Sequence, residues 1–404
     1  MSKVIVVGLG PEGLSREQRN ALAGCRAIVA SARFRALAAE LAPEVLPIAP
    51  LPEALAEICR RIAEGPVGVL ASGDPLFFGI GRRLIAKFGP ELLAVYPGLT
   101  AMQLACARFR IPWDDAHFVS LHGRDSDRLV GKLLAHPKVG VFTDQGNGPD
   151  RIASALHSYL SEVGAEKVLA ETRVHVAENL GGSDERLTSG SLAEIKGKRF
   201  APLNVLLMVR PEKAAAEKSS LGLTEEEICH SRGLITKDEV RAVTLHRLRL
   251  PADGVFWDLG AGSGSLSLEA SRLCQDLAIY AVERKAEELV NVKKNIVRHE
   301  AFSILPVAGV APGVVKGLPD PDRVFVGGSG GRLAEIVAEV MPRLKVGGRI
   351  VINGVTEKTR ELAPQLLASH GCAVEISEVR VSRFHYPPAA RQEFNPISIV
   401  VGKK

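Results

Sequence analysis

Two α/β units with largely parallel sheets are what this sequence of 404 residues predicts. Three observations carry that expectation. Short β-branched runs alternate with helical stretches along the whole chain. Glycine-rich loops follow strands at two widely separated places, and a polar stretch stands between them. The length agrees, because ordinary domains run roughly 100–200 residues.

Val4–Val7 forms the first predicted strand and runs into Gly8-Leu9-Gly10-Pro11-Glu12-Gly13. Further strands are predicted at Ala27–Ala30, Val67–Ala71, Val139–Phe142 and Val205–Val209. Residues 212–221 hold Glu, Lys, Ala and Ser with a single Leu, too little apolar surface to bury, and read as a linker. The strand–helix pattern restarts at Val255–Leu259 and continues at Ala278–Val282, Arg323–Val326, Arg349–Ile352 and Ile397–Val401. Pro387-Pro388 marks a turn before the last strand. The expected domains are therefore 1–211 and 222–404.

Composition narrows the function classes. With 46% hydrophobic and 24% charged residues the chain has ample material for buried cores. A net charge of +5 with no basic block gives nucleic acid no footprint, though it suits a small acidic ligand. Six scattered cysteines include no C-x-x-C pair and no zinc spacing, so no metal site is expected and a reducing cytoplasm is. No apolar run approaches the ~20 residues of a membrane span.

Phe256-Trp257-Asp258-Leu259-Gly260-Ala261-Gly262-Ser263-Gly264 is the strongest local signal. A strand ends near Asp258, the glycines allow a tight turn, and a helix is expected from about Leu266, so a ligand can lie against amides at the helix N-terminus. The spacing G-x-G-x-G differs from the dinucleotide fingerprint G-x-G-x-x-G and suits an amino-acid and ribose moiety. The next strand ends at Glu283, whose carboxylate can accept from both ribose hydroxyls. A Rossmann-like unit for another nucleotide stays open on these residues alone. The set resembles the class I S-adenosylmethionine methyltransferases. With Gly233–Val240, Pro321–Gly328 and Leu344–Asn353, the stretch 222–404 resembles the C-terminal half of precorrin-6Y methyltransferases. That resemblance implies that Thr236, Gly260, Ala261, Gly262, Ser263, Gly264 and Glu283 line the cofactor. Gly309-Val310-Ala311 falls where such enzymes often have Gly-Asp-Ala beside the adenine, so Val310 and Ala311 are expected to contribute main-chain contacts.

In the first half, Gly8 to Gly13 does satisfy the dinucleotide fingerprint, and an NADP-dependent oxidoreductase stays open on that loop. The following strand, however, leads to Ser31 and Arg33 without an acid. Two more loops, Ser72-Gly73-Asp74-Pro75 and Tyr96-Pro97-Gly98-Leu99-Thr100-Ala101, complete a set that resembles the tetrapyrrole (class III) methyltransferases over about 2–211. The likeness extends to Ser120–Arg124, Glu178–Arg186 and Ala201–Asn204. It implies a bilobal tetrapyrrole-methylase fold, cofactor contacts from Pro11, Gly73, Asp74, Thr100 and Ala101, and, by position, from Phe142 and Leu180. One half of each class, in this order, resembles the fused precorrin-6Y methyltransferase family of cobalamin biosynthesis.

That family implies two S-adenosylmethionine sites, one per half. It also implies carbon-5 methylation by the first half, and carbon-15 methylation with loss of the carbon-12 acetate carboxylate by the second. Transfer from a sulfonium is an in-line displacement governed by positioning. The enamine-like macrocycle supplies the nucleophile and the electron sink, so no catalytic side chain, metal or pyridoxal group is assigned. A polycarboxylate tetrapyrrole should meet arginines; Arg124, Arg380, Arg383 and Arg391 are candidates, with His122. His122 and His385 could move protons. Asp258 is expected to order its loop, and Asp74 to contact cofactor, cap a helix, or both. A homo-oligomer is implied. A tetrapyrrole carrier with decayed sites and a methyltransferase for RNA or protein are the remaining alternatives.

Overall fold

The computed structural model describes residues 3–121, 129–211, 221–231, 235–384 and 391–404. The linker stretch 212–220 and the Pro387-Pro388 turn lie outside them. Contacts gather the chain into two compact units: 1–124, 138–154 and 172–210 in one, and 125–137, 155–171 and 211–404 in the other. Within the second unit the Tyr159 hydroxyl donates to the Ile304 carbonyl at 2.7 Å.

The first unit holds two sheets. One contains β1 (Val4–Leu9), β2 (Ala27–Ala30), β3 (Glu44–Pro47), β4 (Val67–Ser72) and β5 (Leu93–Tyr96) in the order β3-β2-β4-β1-β5, all parallel. Every residue of β1 is buried, as expected of a parallel strand covered on both faces. Alternation splits its side chains: Val4 and Val6 pack with Val29 and Ile58, while Ile5, Val7 and Leu9 pack with Leu22 and Ile28. Leu9 sits beside Ser72 and Val7 beside Tyr96. This register brings the three loops that follow β1, β4 and β5 to one sheet end.

The other sheet contains β6 (His117–Ser120), β7 (Lys138–Phe142), β8 (Arg173–Glu178), β9 (Arg186–Ser191) and β10 (Asn204–Val209), ordered β6-β7-β10-β8-β9. Here the expectation of parallel strands fails beyond the β6–β7 pair, for β10 runs antiparallel to both neighbours and β8 to β9. For β8 and β9 the physical reason is the short return between them, where Asn179 (φ 48°) and Gly181 (φ 79°) adopt left-handed backbone. Parallel neighbours would need a long crossover.

The second unit is built on β11 (Asp253–Leu259), β12 (Asp276–Glu283), β13 (Ile304–Ala308), β14 (Arg323–Val326), β15 (Arg349–Gly354), β16 (Ala373–Val379), the short ribbon β17 (Ser382–Arg383) with β18 (Gln392–Glu393), and β19 (Ile397–Lys403). The main sheet runs β13-β12-β11-β14-β15-β19-β16, with only β19 antiparallel to its neighbours. Strand order reverses between β11 and β14, the point at which open α/β sheets leave a crevice beyond the carboxyl ends of their strands. Val255, Trp257 and Leu259 face one core with Ile336, Val340 and Leu367. Trp257 is fully buried, and its indole N–H donates to the Pro319 carbonyl at 3.1 Å. Among the described residues no helix is long and apolar enough to cross a membrane.

Candidate functional site

The three loops of the first unit enclose a cavity of about 320 Å³. All seven residues assigned to it from the sequence line it: Pro11, Gly73, Asp74, Thr100, Ala101, Phe142 and Leu180. Local chemistry explains how each is set. Thr100 caps the helix Ala101–Phe109 reciprocally with Gln103, at 3.0 and 2.9 Å. The Asp74 carboxylate accepts from the Leu76 amide at 2.8 Å. It therefore closes a turn; the helix-cap reading is corrected, since the next helix starts only at Gly81 and its cap is Ile80.

The Gly8–Gly13 loop is occupied by protein. A Cβ on Gly8 would collide with the Gly73 carbonyl oxygen, and one on Gly98 would lie 2.6 Å from the Gly8 oxygen. Gln18 Nε2 donates to the Gly8 and Pro97 carbonyls at 3.1 and 3.0 Å. The glycines permit loop-on-loop packing and leave no cradle for a pyrophosphate between them. The oxidoreductase reading finds no support.

In the second unit a cavity of about 240 Å³ lies at the switch point, lined by Gly260, Gly262, Glu283, Val310 and Ala311 from the expected set. Glu283 is buried, and its carboxylate accepts from the amides of Gly262, Arg284 and Lys285, each at 2.9 Å. A carboxylate has about four acceptor positions, so one or more remain for a ligand hydroxyl. Gly260 (φ 73°) must be glycine twice over, because a Cβ there would collide with Gly328. Ala261, Ser263 and Gly264 belong to the same loop behind the lining: the Ala261 amide donates to the Val282 carbonyl at 3.0 Å, and the Ser263 carbonyl accepts from Asn295 at 3.0 Å. Thr236 is not among the lining residues; its carbonyl accepts from Arg241 at 3.0 Å. Gly328, Ser329 and Gly330 are shared with an adjoining cavity of about 380 Å³, which also touches Asn353, Thr356, Lys358 and Thr359.

Asp258 ties the end of β11 to the helix that follows the glycine loop: its Oδ2 accepts from the Ser267 hydroxyl at 2.5 Å, while Oδ1 is buried without a partner. Burial, with a smaller push from the Glu283 charge, raises its pKa from 3.8 to about 7 against the opposing Ser267 bonds. The folded protein therefore keeps a proton between pH ~4 and ~7 that the unfolded chain releases, and stability is lost as pH rises through that window. Below it the carboxyl is protonated in both states and that stability is fully present. We predict that the stability difference between wild type and Asp258→Asn falls by on the order of a few kcal/mol from pH 4 to 7. Urea unfolding across that range checks it; a constant difference would refute the shift.

The substrate arginines are less free than expected. Arg383 is held by Glu239 at 2.8 and 2.7 Å and by Glu225 at 2.8 Å. These bonds keep its guanidinium protonated against the effect of burial. Three of its five N–H donors are thus engaged within the unit. Arg380 pairs with Glu378 at 2.7 Å, and Arg391 with Glu393 at 3.1 Å, both on the surface. His122, Arg124 and His385 lie outside the described residues.

Sequence reading missed Arg33, Phe77 and Phe78 on the first cavity and Glu288 on the second. Adjacent phenylalanines read as core. An acid three residues into a helix reads as an ordinary helix start, yet the Lys285 amide that such an acid usually caps is taken by Glu283. Glu288 Oε1 consequently stays buried with no partner.

Comparison with known proteins agrees with this geometry. The family of Tetrapyrrole (Corrin/Porphyrin) Methylases matches residues 3–196, and the Precorrin methyltransferase domain matches residues 227–396. A precorrin-6Y C(5,15)-methyltransferase [decarboxylating] of a Sinorhizobium species is 32% identical over 87% of this chain and 84% of its own. A probable cobalt-precorrin-6B C(15)-methyltransferase (decarboxylating) of Pyrobaculum calidifontis is 36% identical over 40% of this chain and 84% of its own. A cobalt-precorrin-7 C(5)-methyltransferase of Salmonella typhimurium is 36% identical over 42% of this chain and 88% of its own. Matched by one methylase family in each half, and by a relative along most of both lengths, the chain belongs to the precorrin-6Y C(5,15)-methyltransferase (decarboxylating) family, enzymes that transfer methyl groups from S-adenosylmethionine to carbon.

Proposed function

We propose that this chain methylates precorrin-6B at carbons 5 and 15 and removes the carbon-12 acetate carboxylate, giving precorrin-8. In this reading residues 1–211 perform the carbon-5 transfer and residues 222–404 the carbon-15 transfer and the decarboxylation, joined by 212–221. Each half has its own S-adenosylmethionine site. The observation that carries the reading is the presence of two separate cavities, each at the carboxyl ends of parallel strands and each lined by the glycine-loop residues of a different methylase class. The existence of separate C(5) and C(15) relatives, each matching about two fifths of the chain, supports the division.

The residues fit the cofactor. Glu283 retains acceptor capacity after binding three amides, and Glu288 Oε1 lacks a donor, which a ligand N–H or O–H would supply. Gly260 and Gly262 leave the loop without side chains where the ligand would lie. In the first cavity the Thr100 cap takes the Gln103 amide, which leaves the Ala101 and Met102 amides at the start of the helix to meet a carboxylate. When bound, S-adenosylmethionine supplies an electrophilic methyl group. The chain's own work is then to hold the acceptor carbon in line with it and to exclude water. The adjoining cavity of the second unit, which shares Gly328–Gly330, is the place for the macrocycle there, with Lys358 available to a substrate carboxylate. A homo-oligomer, common to both methylase classes, completes the proposal.

Titration of S-adenosylhomocysteine into the whole chain tests it. Two sites per chain are expected, one lost on filling either cavity. One site in the unaltered chain, or two sites surviving in a variant with either cavity filled, would refute the two-headed reading.

A further inference from the structure

Three large apolar side chains on the wall of the first cavity are unusually exposed: Phe78 at 51%, Leu99 at 46% and Leu203 at 52%. Exposed apolar groups gathered at one cavity mark a binding surface rather than a core. Phe78 is singled out further by its backbone. Its φ is 54°, the left-handed region that a bulky aromatic adopts only under constraint. The turn supplies that constraint: the Leu76 amide is tied to the Asp74 carboxylate at 2.8 Å, the Phe77 amide to the Asp74 carbonyl at 3.2 Å, and the Gly81 amide to the Pro75 carbonyl at 2.8 Å. The ring touches Phe77 and Phe142, with centroids 5.0 and 5.5 Å apart, and about half of it stays open. A position where glycine would be unstrained has instead been given an outward aromatic ring beside the cofactor cavity.

We propose that Phe78 is a substrate-contacting residue of the first half, its ring packing against the apolar face of the tetrapyrrole while Leu99 and Leu203 bound the same shelf. The inference rests on the reading of this cavity as the first methylation site. A conjugated macrocycle suits such a shelf because its faces are apolar and its carboxylates lie at the rim, away from the stacked surface. The ring's role is to set the height and tilt of the acceptor carbon over the methyl donor.

Full-length Phe78→Gly tests this without straining the turn, since glycine occupies positive φ freely. Aromatic stacking contacts of this kind justify an expected loss of about tenfold in kcat/KM for one methyl transfer, carried mainly by KM. The accumulating product is one methyl group short, while the other transfer and the decarboxylation continue. Phe78→Tyr, which keeps the aromatic face, recovers most of the kcat/KM lost in Phe78→Gly, and S-adenosylhomocysteine affinity stays close to wild type in both variants. Wild-type kcat/KM for both methyl transfers in Phe78→Gly would overturn the proposal. So would a parallel loss of S-adenosylhomocysteine affinity, which would make Phe78 part of the cofactor wall. Ala101→Trp, which places an indole in the same cavity, separates the underlying reading. Loss of one S-adenosylhomocysteine site upholds the cavity as a cofactor site, whereas retention of both removes the reading and the proposal with it.

Discussion

Glu283→Ala is expected to leave the full chain with one S-adenosylhomocysteine site in place of two. The carboxylate accepts from the Gly262, Arg284 and Lys285 amides, and so shapes the cavity wall before any ligand arrives. Hydrogen bonds to a charged group contribute about 1.5–3 kcal/mol each, so losing the proposed ribose contact together with this pre-organisation is expected to weaken binding roughly a hundredfold or more. The catalytic consequence is selective. Product mass should show that one methylation and the decarboxylation are lost together, while the other methylation survives. Glu283→Gln should fall between, because its carbonyl oxygen can accept while its amide cannot. Two undiminished sites in Glu283→Ala would mean that the switch-point cavity does not hold the cofactor.

Arg241→Ala should produce the largest loss of stability. Arg241 is 2% exposed and lies 3.6 Å from Glu269, itself 1% exposed. It also donates to the carbonyls of Leu223 and Thr236 and to Asp238. Glu269 in turn accepts from the Gly222 and Leu223 amides. This network fastens Gly222 and Leu223 to the helix Ser265–Leu273, which begins at the end of the glycine loop. Removing the guanidinium leaves a buried carboxylate without its cation, a change that costs about 3–5 kcal/mol. Domains have only about 5–15 kcal/mol in total. The chain has two tryptophans, of which Trp257 is fully buried in the second unit and Trp113 is 43% exposed. The change in Trp257 emission during urea unfolding therefore reads out this unit. An unfolding free energy within about 1 kcal/mol of wild type would show that the network does not hold this segment.

The features legible in the sequence were those encoded by local backbone chemistry. Gly260, Gly262 and Glu283 could be placed in one site because a strand, a tight turn, a helix and a second strand follow each other without interruption, and β11 and β12 are neighbours in the sheet. Pro11, Asp74 and Thr100 come from three distant loops. Family likeness rather than spacing put them together, and the parallel register of β1, β4 and β5 is what joins them. The arginines show the opposite case. A guanidinium looks the same in sequence whether it awaits a substrate or is already paired, and only the positions of Glu225 and Glu239 decided that Arg383 is paired.

By itself, then, the sequence determined the fold class, the two glycine loops and the acid beyond the second; the methylase families came from resemblance. Each of the first three is set by a short-range rule of backbone conformation or strand periodicity. Tertiary structure alone decided that the Gly8–Gly13 loop is packed against Gly73 and Gly98, that the second sheet is mostly antiparallel, that Glu288 faces a cavity without a partner, and that Phe78 stands outward in a left-handed turn. All four depend on which distant segments meet. That is settled by packing and burial over the whole unit, and no window of neighbouring residues contains it.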